Sequence, residues 1–165
     1  MSTRTTIEFA NLSKSFGAVT AVSDLSFTVE PGRVTGFLGP NGAGKTTTLR
    51  MISTLVAPDA GRIEIDGVDA ARDPLGARAR LGILSDARGL YARLTARENI
   101  AYFGELRGMP RERIEASIAA LAPPLELSAL LDRRTDGFSQ GERMKVAIAR
   151  ALVHDPRNVV LDEPT

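Results

Sequence analysis

Short apolar runs that contain β-branched and aromatic residues recur along the chain, and such runs are typical of β-strands. Strands are predicted at Thr6–Leu12, Leu25–Glu30, Val34–Gly39, Gly61–Gly67, Arg80–Ser85 and Arg157–Asp162. The run Val34–Gly39 is apolar without alternation, which predicts a strand buried on both faces, and Arg157–Asp162 has the same character. The pairs Pro-Gly at 31–32 and Asp-Gly at 66–67 predict turns.

Helical spacing and helix start signals alternate with these strands. Leu49, Ile52 and Val56 recur at helical intervals and predict a helix over Lys45–Val56. Three further helices are predicted over residues 96–108, 111–122 and 142–154. The first and third of these follow capping boxes, Thr95 with Glu98 and Ser139 with Glu142, and the second follows Pro110.

The order of these elements predicts an α/β fold. Strands and a glycine-rich loop come first, a largely helical stretch follows, and the chain then returns to a buried strand. We expect one domain over residues 1–165, in which a helical subdomain occupies about Leu90–Asp136. A length of 165 residues is sufficient for one domain with a sizeable core.

Composition narrows the functional classes. The formal net charge is +1, so charge gives no argument for a nucleic-acid-binding protein, and we expect no nucleic acid partner. The chain has no cysteine, which excludes disulfides, thiolate metal sites and cysteine nucleophiles. No segment approaches the roughly 18 unbroken apolar residues of a membrane-spanning helix, so we expect that the chain does not cross a membrane by itself.

The sequence GPNGAGKT at Gly39–Thr46 satisfies the phosphate-loop pattern G-x-x-x-x-G-K-[ST]. Glycines let the backbone N–H groups approach phosphate oxygens, and the following helix directs its positive end at the same place. Lys45 would contact the β- and γ-phosphates, and the Thr46 hydroxyl would bind Mg²⁺. The alternative is a glycine-rich turn without a ligand, but the predicted strand before the loop and the predicted helix after it favour nucleotide binding.

Two carboxylates, Asp162 and Glu163, follow the last predicted strand. A carboxylate at the tip of a strand beside a phosphate loop can hold Mg²⁺, and the next carboxylate can polarise an attacking water. A strand that ends in a charged turn is the structural alternative. The phosphate loop favours the catalytic interpretation.

Three motifs together resemble the ATP-binding cassette of ABC transporters. GPNGAGKTT is similar to the Walker A motif of that family, VVLDEPT to Walker B with its glutamate, and FSQGERMKVAIARALVHDP at Phe138–Pro156 to the ABC signature and its helix. The resemblance covers essentially the whole chain. It implies a P-loop NTPase core with an antiparallel β subdomain and a helical subdomain. Leu81–Ile100 resembles most the cassettes of bacterial exporters, including sodium-extruding and drug-resistance types.

The resemblance implies a role for each residue that matches a family motif. Glu163 would be the general base, Asp162 would hold Mg²⁺, and Phe16 would stack on adenine unless it is a core side chain. Ser139 and Gly141 would contact the γ-phosphate bound to a second cassette, although a capping box alone also explains the serine. The residues that would bind the triphosphate and Mg²⁺ are Gly39, Asn41, Gly42, Gly44, Lys45, Thr46 and Thr47.

The sequence departs from the family pattern in three places. Phe138, Gln140 and Glu142 replace three of the five usual signature residues, Leu-Ser-Gly-Gly-Gln. Asp86 aligns with the family's Q-loop glutamine, and it could reach Mg²⁺ or water. The family also continues beyond Walker B to a switch histidine, so we expect this chain to be a C-terminally truncated cassette.

The resemblance implies a subunit that hydrolyses ATP with Mg²⁺ and powers transport through a separate membrane permease, with export favoured. Two cassettes, identical or different, would enclose two ATP molecules on the cytoplasmic face of the cell membrane. One alternative is a soluble ABC-type ATPase of DNA repair or translation, but neither a long coiled coil nor a second cassette is present in the sequence. The other alternative is a nucleotide-binding fragment that does not hydrolyse ATP.

Overall fold

The computed structural model describes residues 7–84 and 89–162. The chain divides into two compact units, Met1–Leu81 and Gly82–Thr165. Strands and helices occur together, which confirms the α/β fold class. The extent of a single domain with a helical subdomain near residues 90–136 remains a prediction.

The first unit is built on a four-stranded antiparallel sheet with the strand order β2-β1-β3-β4. Alternate apolar side chains pair across β1 and β3, with Ile7 opposite Ile65 and Phe9 opposite Ile63, and all four are buried. This period of two places one face of the sheet in the core. The strands are β1 (Ile7–Phe16), β2 (Val19–Val29), β3 (Ala60–Ile65) and β4 (Val68–Asp69).

Two tight turns fix the register of this sheet. Asp66 and Gly67 have φ angles of 51° and 75° between β3 and β4, which confirms the predicted Asp-Gly turn. The sequence did not predict β4, because a two-residue strand gives no period. The β1–β2 turn brings Phe16 opposite Val19, with Gly17 at a φ of 58°. Both strands are longer here than predicted, since this hairpin lacks the clear alternation of a half-buried strand.

The helix after the glycine-rich loop, α1 (Lys45–Ile52), ends four residues before the predicted boundary at Val56. The Leu55 N–H donates to the Arg50 carbonyl at 2.9 Å, and the Thr54 N–H donates to the Met51 carbonyl at 3.0 Å. These two hydrogen bonds form a Schellman motif, and Thr54 takes the left-handed position at a φ of 55°. Glycine usually occupies that position, so a threonine gave no stop signal. A second helix of this unit, α2 (Pro74–Ala79), begins after Asp73 and was not predicted.

The predicted buried strand Val34–Gly39 was wrong. These residues form neither a strand nor a helix, and they pair with no strand among the described residues. Val34 is fully exposed and Leu38 is 93% exposed, while Phe37 is half-buried and stacks on Phe27 at 5.7 Å between ring centroids. An apolar run indicates a tendency to be buried, but a strand also needs a hydrogen-bonded neighbour.

Among its described residues, the second unit contains the helices α3 (Ala96–Leu106), α4 (Arg111–Leu121) and α5 (Gln140–Leu152), and a short 3-10 helix (Thr135–Gly137). The three predicted helices are thereby confirmed, with both capping boxes formed. Ile100, Ile114, Ile118, Val146 and Val153 belong to the core that the helices share. A Cβ on Gly104 would lie 2.7 Å from Cγ1 of Ile114, so glycine allows α3 and α4 to approach closely.

A two-stranded sheet of β5 (Leu81–Leu84) and β6 (Asn158–Leu161) completes the described structure. Burial of β6 is less complete than predicted, because Val160 is 9% exposed but Val159 is 45% exposed and Leu161 is 43% exposed. Leu84 packs with Ala147 and Ala151 of α5. Within the described ranges, no helix has the length and apolar character needed to span a bilayer.

Candidate functional site

The phosphate loop in the first unit has a backbone that only glycine adopts easily. Gly42 and Gly44 have φ angles of 84° and 81°, in the left-handed region. Gly44 is the N-cap of α1, and a Cβ on it would lie 2.2 Å from the carbonyl oxygen of Ala21 and 2.9 Å from Cγ2 of Val22. The loop therefore packs directly against β2, in the hairpin that also carries Phe16. Glycine is less strictly required at position 39, because a Cβ on Gly39 would meet only Cβ of Ala43, at 3.3 Å.

Lys45 folds back over the loop that precedes it. Its Nζ donates to the carbonyl oxygens of Gly39 at 2.7 Å and of Pro40 at 2.9 Å. These bonds place an ammonium group beside the N-terminus of α1, where the unpaired N–H groups of the first turn already favour an anion. The first helical turn thus joins a mobile cation to a helix N-terminus, as phosphate binding requires.

The remaining loop residues differ in exposure. Asn41, Gly42 and Thr46 are exposed and Thr47 is half-buried, so these side chains and backbone groups are open to solvent. Thr48 is buried, and its hydroxyl donates to the Gly44 carbonyl at 3.0 Å. The Thr46 hydroxyl is therefore accessible to a metal ion, as its predicted role requires.

Phe16 ends β1 at the hairpin turn and is 51% exposed, so it is not a core side chain. The ammonium of Lys14 lies over its ring, 5.4 Å from the centroid. An exposed ring in the hairpin that packs against the phosphate loop fits the predicted contact with a base. The adenine-stacking role itself remains a prediction.

The signature segment in the second unit forms the N-terminus of α5. The Ser139 hydroxyl accepts a hydrogen bond from the Glu142 N–H at 3.2 Å, and a Glu142 carboxylate oxygen accepts one from the Ser139 N–H at 2.7 Å. The second of these bonds holds the pKa of the Glu142 carboxyl below its ordinary value. Ser139 and Gly141 are exposed, and no atom outside the immediate neighbours lies within 4 Å of a Cβ built on Gly141.

Arg143 stabilises the backbone before the signature helix and was not predicted. Its Nε donates to the Phe138 carbonyl at 3.1 Å, and its terminal nitrogen donates to the Asp136 carbonyl at 3.0 Å. Because these acceptors are backbone atoms, no residue type in the sequence identifies them as partners. The contact of Lys14 with Asp59 in the first unit was missed for a different reason, because the two residues are separated by 45 positions.

Asp162 follows β6 and is half-buried, and its N–H donates to the Leu84 carbonyl at 2.8 Å. This bond ties the residue to the end of β5. Asp86 and Glu163 lie outside the described residues. The phosphate loop and Phe16 thus belong to the first unit, and the signature and Asp162 belong to the second.

Comparison with known proteins agrees with these motifs. The sequence profile of the family described as ABC transporter matches residues 22–165. The chain is 50% identical over 148 residues to the ABC transporter ATP-binding protein NatA of Bacillus subtilis, covering 89% of this chain and 60% of that protein. It is 43% identical to the Nod factor export ATP-binding protein I of Paraburkholderia xenovorans, with 96% of this chain and 52% of that protein covered.

An import protein and a solved structure are also similar. The sulfate/thiosulfate import ATP-binding protein CysA of Synechococcus elongatus is 40% identical, with 96% of this chain and 46% of that protein covered. A solved structure described as the ATP binding subunit of an ABC transporter superposes with a TM-score of 0.86 at 30% identity, covering 97% of this chain and 67% of that one. The chain therefore spans about half to 60% of the length of these curated relatives. The family profile covers most of the sequence, and it shows that the chain belongs to the ABC transporter family.

Proposed function

We propose that this chain binds ATP with Mg²⁺ at the phosphate loop and hydrolyses it. The observation that carries the proposal is the placement of the Lys45 ammonium at the N-terminus of α1, where it is bonded to two neutral carbonyls. A triphosphate offers charged acceptors, which form stronger hydrogen bonds than carbonyls do. The ammonium can therefore exchange its present partners for the β- and γ-phosphates without leaving the loop.

The other loop residues fit the same ligand. The space beside Gly44 is too small for a Cβ, so its backbone lies close to β2 and the loop can curve around phosphate oxygens. Mg²⁺, when bound, neutralises charge on the triphosphate. The residues that would hold it are Thr46, whose hydroxyl is exposed, Asp162 and Asp86. The backbone groups and side chains that would surround the phosphates are those of Gly39, Asn41, Gly42, Gly44, Lys45, Thr46 and Thr47.

Hydrolysis requires a group that removes a proton from the attacking water, and we assign that role to Glu163. Glu163 follows Asp162 directly, and the Asp162 N–H is bonded to the Leu84 carbonyl at 2.8 Å. The residue before the base is thereby fixed to the two-stranded sheet.

The signature would complete the site of a second cassette. The Ser139 hydroxyl accepts from the Glu142 N–H, so its own proton is the part left to donate to a phosphate oxygen. Ser139 and Gly141 are both exposed and can be approached by another molecule. An isologous dimer of this chain, or a heterodimer with a related cassette, would bring this surface to a bound ATP.

The proposed biological role is ATP-driven transport through a separate membrane permease, with the chain on the cytoplasmic face of the membrane. The helical region has exposed apolar side chains that are available for that contact, among them Tyr91, Tyr102 and Leu106. The rings of Tyr91 and Tyr102 meet edge to face at 5.4 Å between centroids. Similarity to a Nod factor export protein supports export. The chain is also similar to a sulfate/thiosulfate import protein, so its similar relatives include both export and import proteins.

Binding and turnover can be separated with two substitutions. Lys45→Ala should weaken ATP binding by about 10- to 100-fold, because a charge-assisted hydrogen bond contributes about 1.5–3 kcal/mol. Glu163→Gln should keep the ATP affinity within about twofold and abolish turnover, since the amide cannot accept the proton. Lys145→Ala is the matched lysine control, because Lys145 pairs with Glu126 in the second unit and is not part of the phosphate loop.

The results distinguish the proposal from its alternatives. Unchanged ATP affinity in Lys45→Ala would contradict the phosphate-loop assignment, and turnover at the wild-type rate in Glu163→Gln would contradict the base assignment. ATP binding without any turnover by the wild-type chain would favour the non-hydrolysing alternative. Co-purification with ribosomes or DNA instead of a membrane permease would favour the soluble ATPase of repair or translation.

A further inference from the structure

The end of β1, just before Phe16, is held by a carboxylate from a distant part of the chain. One Asp59 oxygen accepts a hydrogen bond from Nζ of Lys14 at 2.7 Å, and the other accepts one from the backbone N–H of Ser15 at 2.8 Å. The Asp59 N–H in turn donates to the Ser13 carbonyl at 2.9 Å. Three consecutive residues that lead to Phe16 thus make a hydrogen bond to the same aspartate.

Asp59 directly precedes β3, at the point where the pairing between β1 and β3 stops. The pairing of β1 with β3 stops at Ser13 opposite Ala60, whereas the pairing with β2 continues to Phe16 opposite Val19. The register of β1 against β2 also shifts on both sides of Lys14. Beyond Ser13 the strand is therefore irregular, and Asp59 supplies the acceptor that the Ser15 N–H no longer finds in β3.

The same contact fixes a cation against the ring of Phe16. The Lys14 side chain is only 15% exposed, and its ammonium lies over the Phe16 ring at 5.4 Å from the centroid. This distance is within the range of a cation–π interaction. The side chain of Phe16 is nevertheless 51% exposed, so part of the ring remains accessible to a flat ligand.

We propose that Lys14 and Asp59, which we call the Lys14–Asp59 pair, are positioning residues that set the ring plane of Phe16 for the base of the nucleotide. The pair would act on the base and not on the phosphates. The inference rests on the proposed function, because Phe16 stacks on a base only if the chain binds a nucleotide. A purely structural ion pair would instead support the sheet and affect all ligands of the first unit equally.

Two ligands separate these possibilities: MgATP, which has a base, and magnesium tripolyphosphate, which has only the phosphates. We expect Asp59→Asn to weaken MgATP binding by about fivefold, since base–aromatic stacking has roughly this strength at its lower limit. The affinity for tripolyphosphate should stay within about twofold, and this affinity also reports that the phosphate loop is folded. In a Phe16→Ala background, Asp59→Asn should change neither affinity.

A second variant and a matched control sharpen the comparison. Lys14→Met removes the cation from the ring but leaves Asp59 able to accept from Ser15, and it should also weaken MgATP selectively. Asp69→Asn is the control, because Asp69 is also a carboxylate that accepts backbone N–H bonds, those of Ala71 at 2.8 Å and Arg72 at 3.1 Å. It should leave the ratio of the two affinities unchanged.

Each other outcome overturns the inference in a recognisable way. Equal losses for MgATP and tripolyphosphate, or an effect of Asp59→Asn that persists in the Phe16→Ala background, would show that the pair does not act through the ring. These results would leave the proposed function intact. Failure of the wild-type chain to bind either ligand would overturn the proposed function, and this inference with it.

Discussion

Replacing Gly44 by alanine should be among the most damaging single-methyl changes in the first unit. Gly44 caps α1 at a φ of 81°, and a Cβ there would lie 2.2 Å from the Ala21 carbonyl oxygen. The left-handed conformation costs a residue with a Cβ about 1–2 kcal/mol. The contact with a backbone oxygen requires a shift of about 1 Å, and overpacking of this kind costs about 1–3 kcal/mol.

The expected loss is thus about 2–5 kcal/mol in the free energy of unfolding, against about 5–15 kcal/mol for a typical domain. Two other glycines separate the contributions. Gly42 has a φ of 84° but open space around its Cβ position, so Gly42→Ala should cost only the conformational part, about 1–2 kcal/mol. Gly36 has neither a positive φ nor a close neighbour, so Gly36→Ala should be neutral or stabilising by up to about 1 kcal/mol.

Urea unfolding followed by circular dichroism measures this series directly. Gly36→Ala should be the most stable of the three variants, Gly42→Ala intermediate, and Gly44→Ala the least stable. ATP titration below the unfolding transition should also show weaker binding in Gly44→Ala, because the displaced loop no longer directs its N–H groups at one point. If Gly44→Ala and Gly36→Ala unfold within about 0.5 kcal/mol of each other, the packing of the loop against β2 is not as described.

Three other substitutions test the second unit by urea unfolding. Phe138→Ala should cost about 3–5 kcal/mol, because the ring is buried in the helical core, and a loss below about 1 kcal/mol would contradict that placement. Asn99→Leu should lower the free energy of unfolding by about 3 kcal/mol, because the Tyr91 N–H and the carbonyls of Tyr91 and Thr95 lose their hydrogen bonds to the amide. A neutral effect would contradict these hydrogen bonds. The lowered pKa of Glu142 stabilises the fold above its ordinary pKa of 4.5, and this contribution is lost as the pH falls through the lower folded-state pKa. Stability of the wild type should therefore decline more than that of Glu142→Gln below pH 4.5, and parallel profiles would exclude the contribution.

The helices of the second unit could be predicted from sequence because their signals are local. Thr95 with Glu98 and Ser139 with Glu142 each satisfy both ends of a capping box within four residues, and the structure forms both. Nothing beyond the helix itself is needed to make those hydrogen bonds. The phosphate loop was recognisable for the same reason, since its glycines and Lys45 lie in one short segment.

Features that depend on distant partners could not be predicted. Val34–Gly39 has the composition of a buried strand, but no described strand pairs with it, and composition does not reveal the partner. Thr54 ends α1 in a left-handed conformation that its residue type disfavours, so the residue type does not indicate the boundary. The contact between Lys14 and Asp59 joins residues 45 positions apart. The missing strand partner and the ion pair depend on contacts that short sequence windows omit.

Two of the three departures from the usual ABC signature, Phe138 and Glu142, fall on positions that are structural in this chain, whereas the third, Gln140, is exposed. Phe138 is 5% exposed, and Glu142 completes the capping box through the Ser139 N–H. A carboxylate accepts that bond more strongly than the amide of a glutamine would. The retained residues, Ser139 and Gly141, are exposed as well. Because the Glu142 N–H binds the serine oxygen, the hydroxyl proton takes no part in the cap. The cap of α5 therefore uses the oxygen of this hydroxyl, and the proposed contact with a phosphate would use its proton.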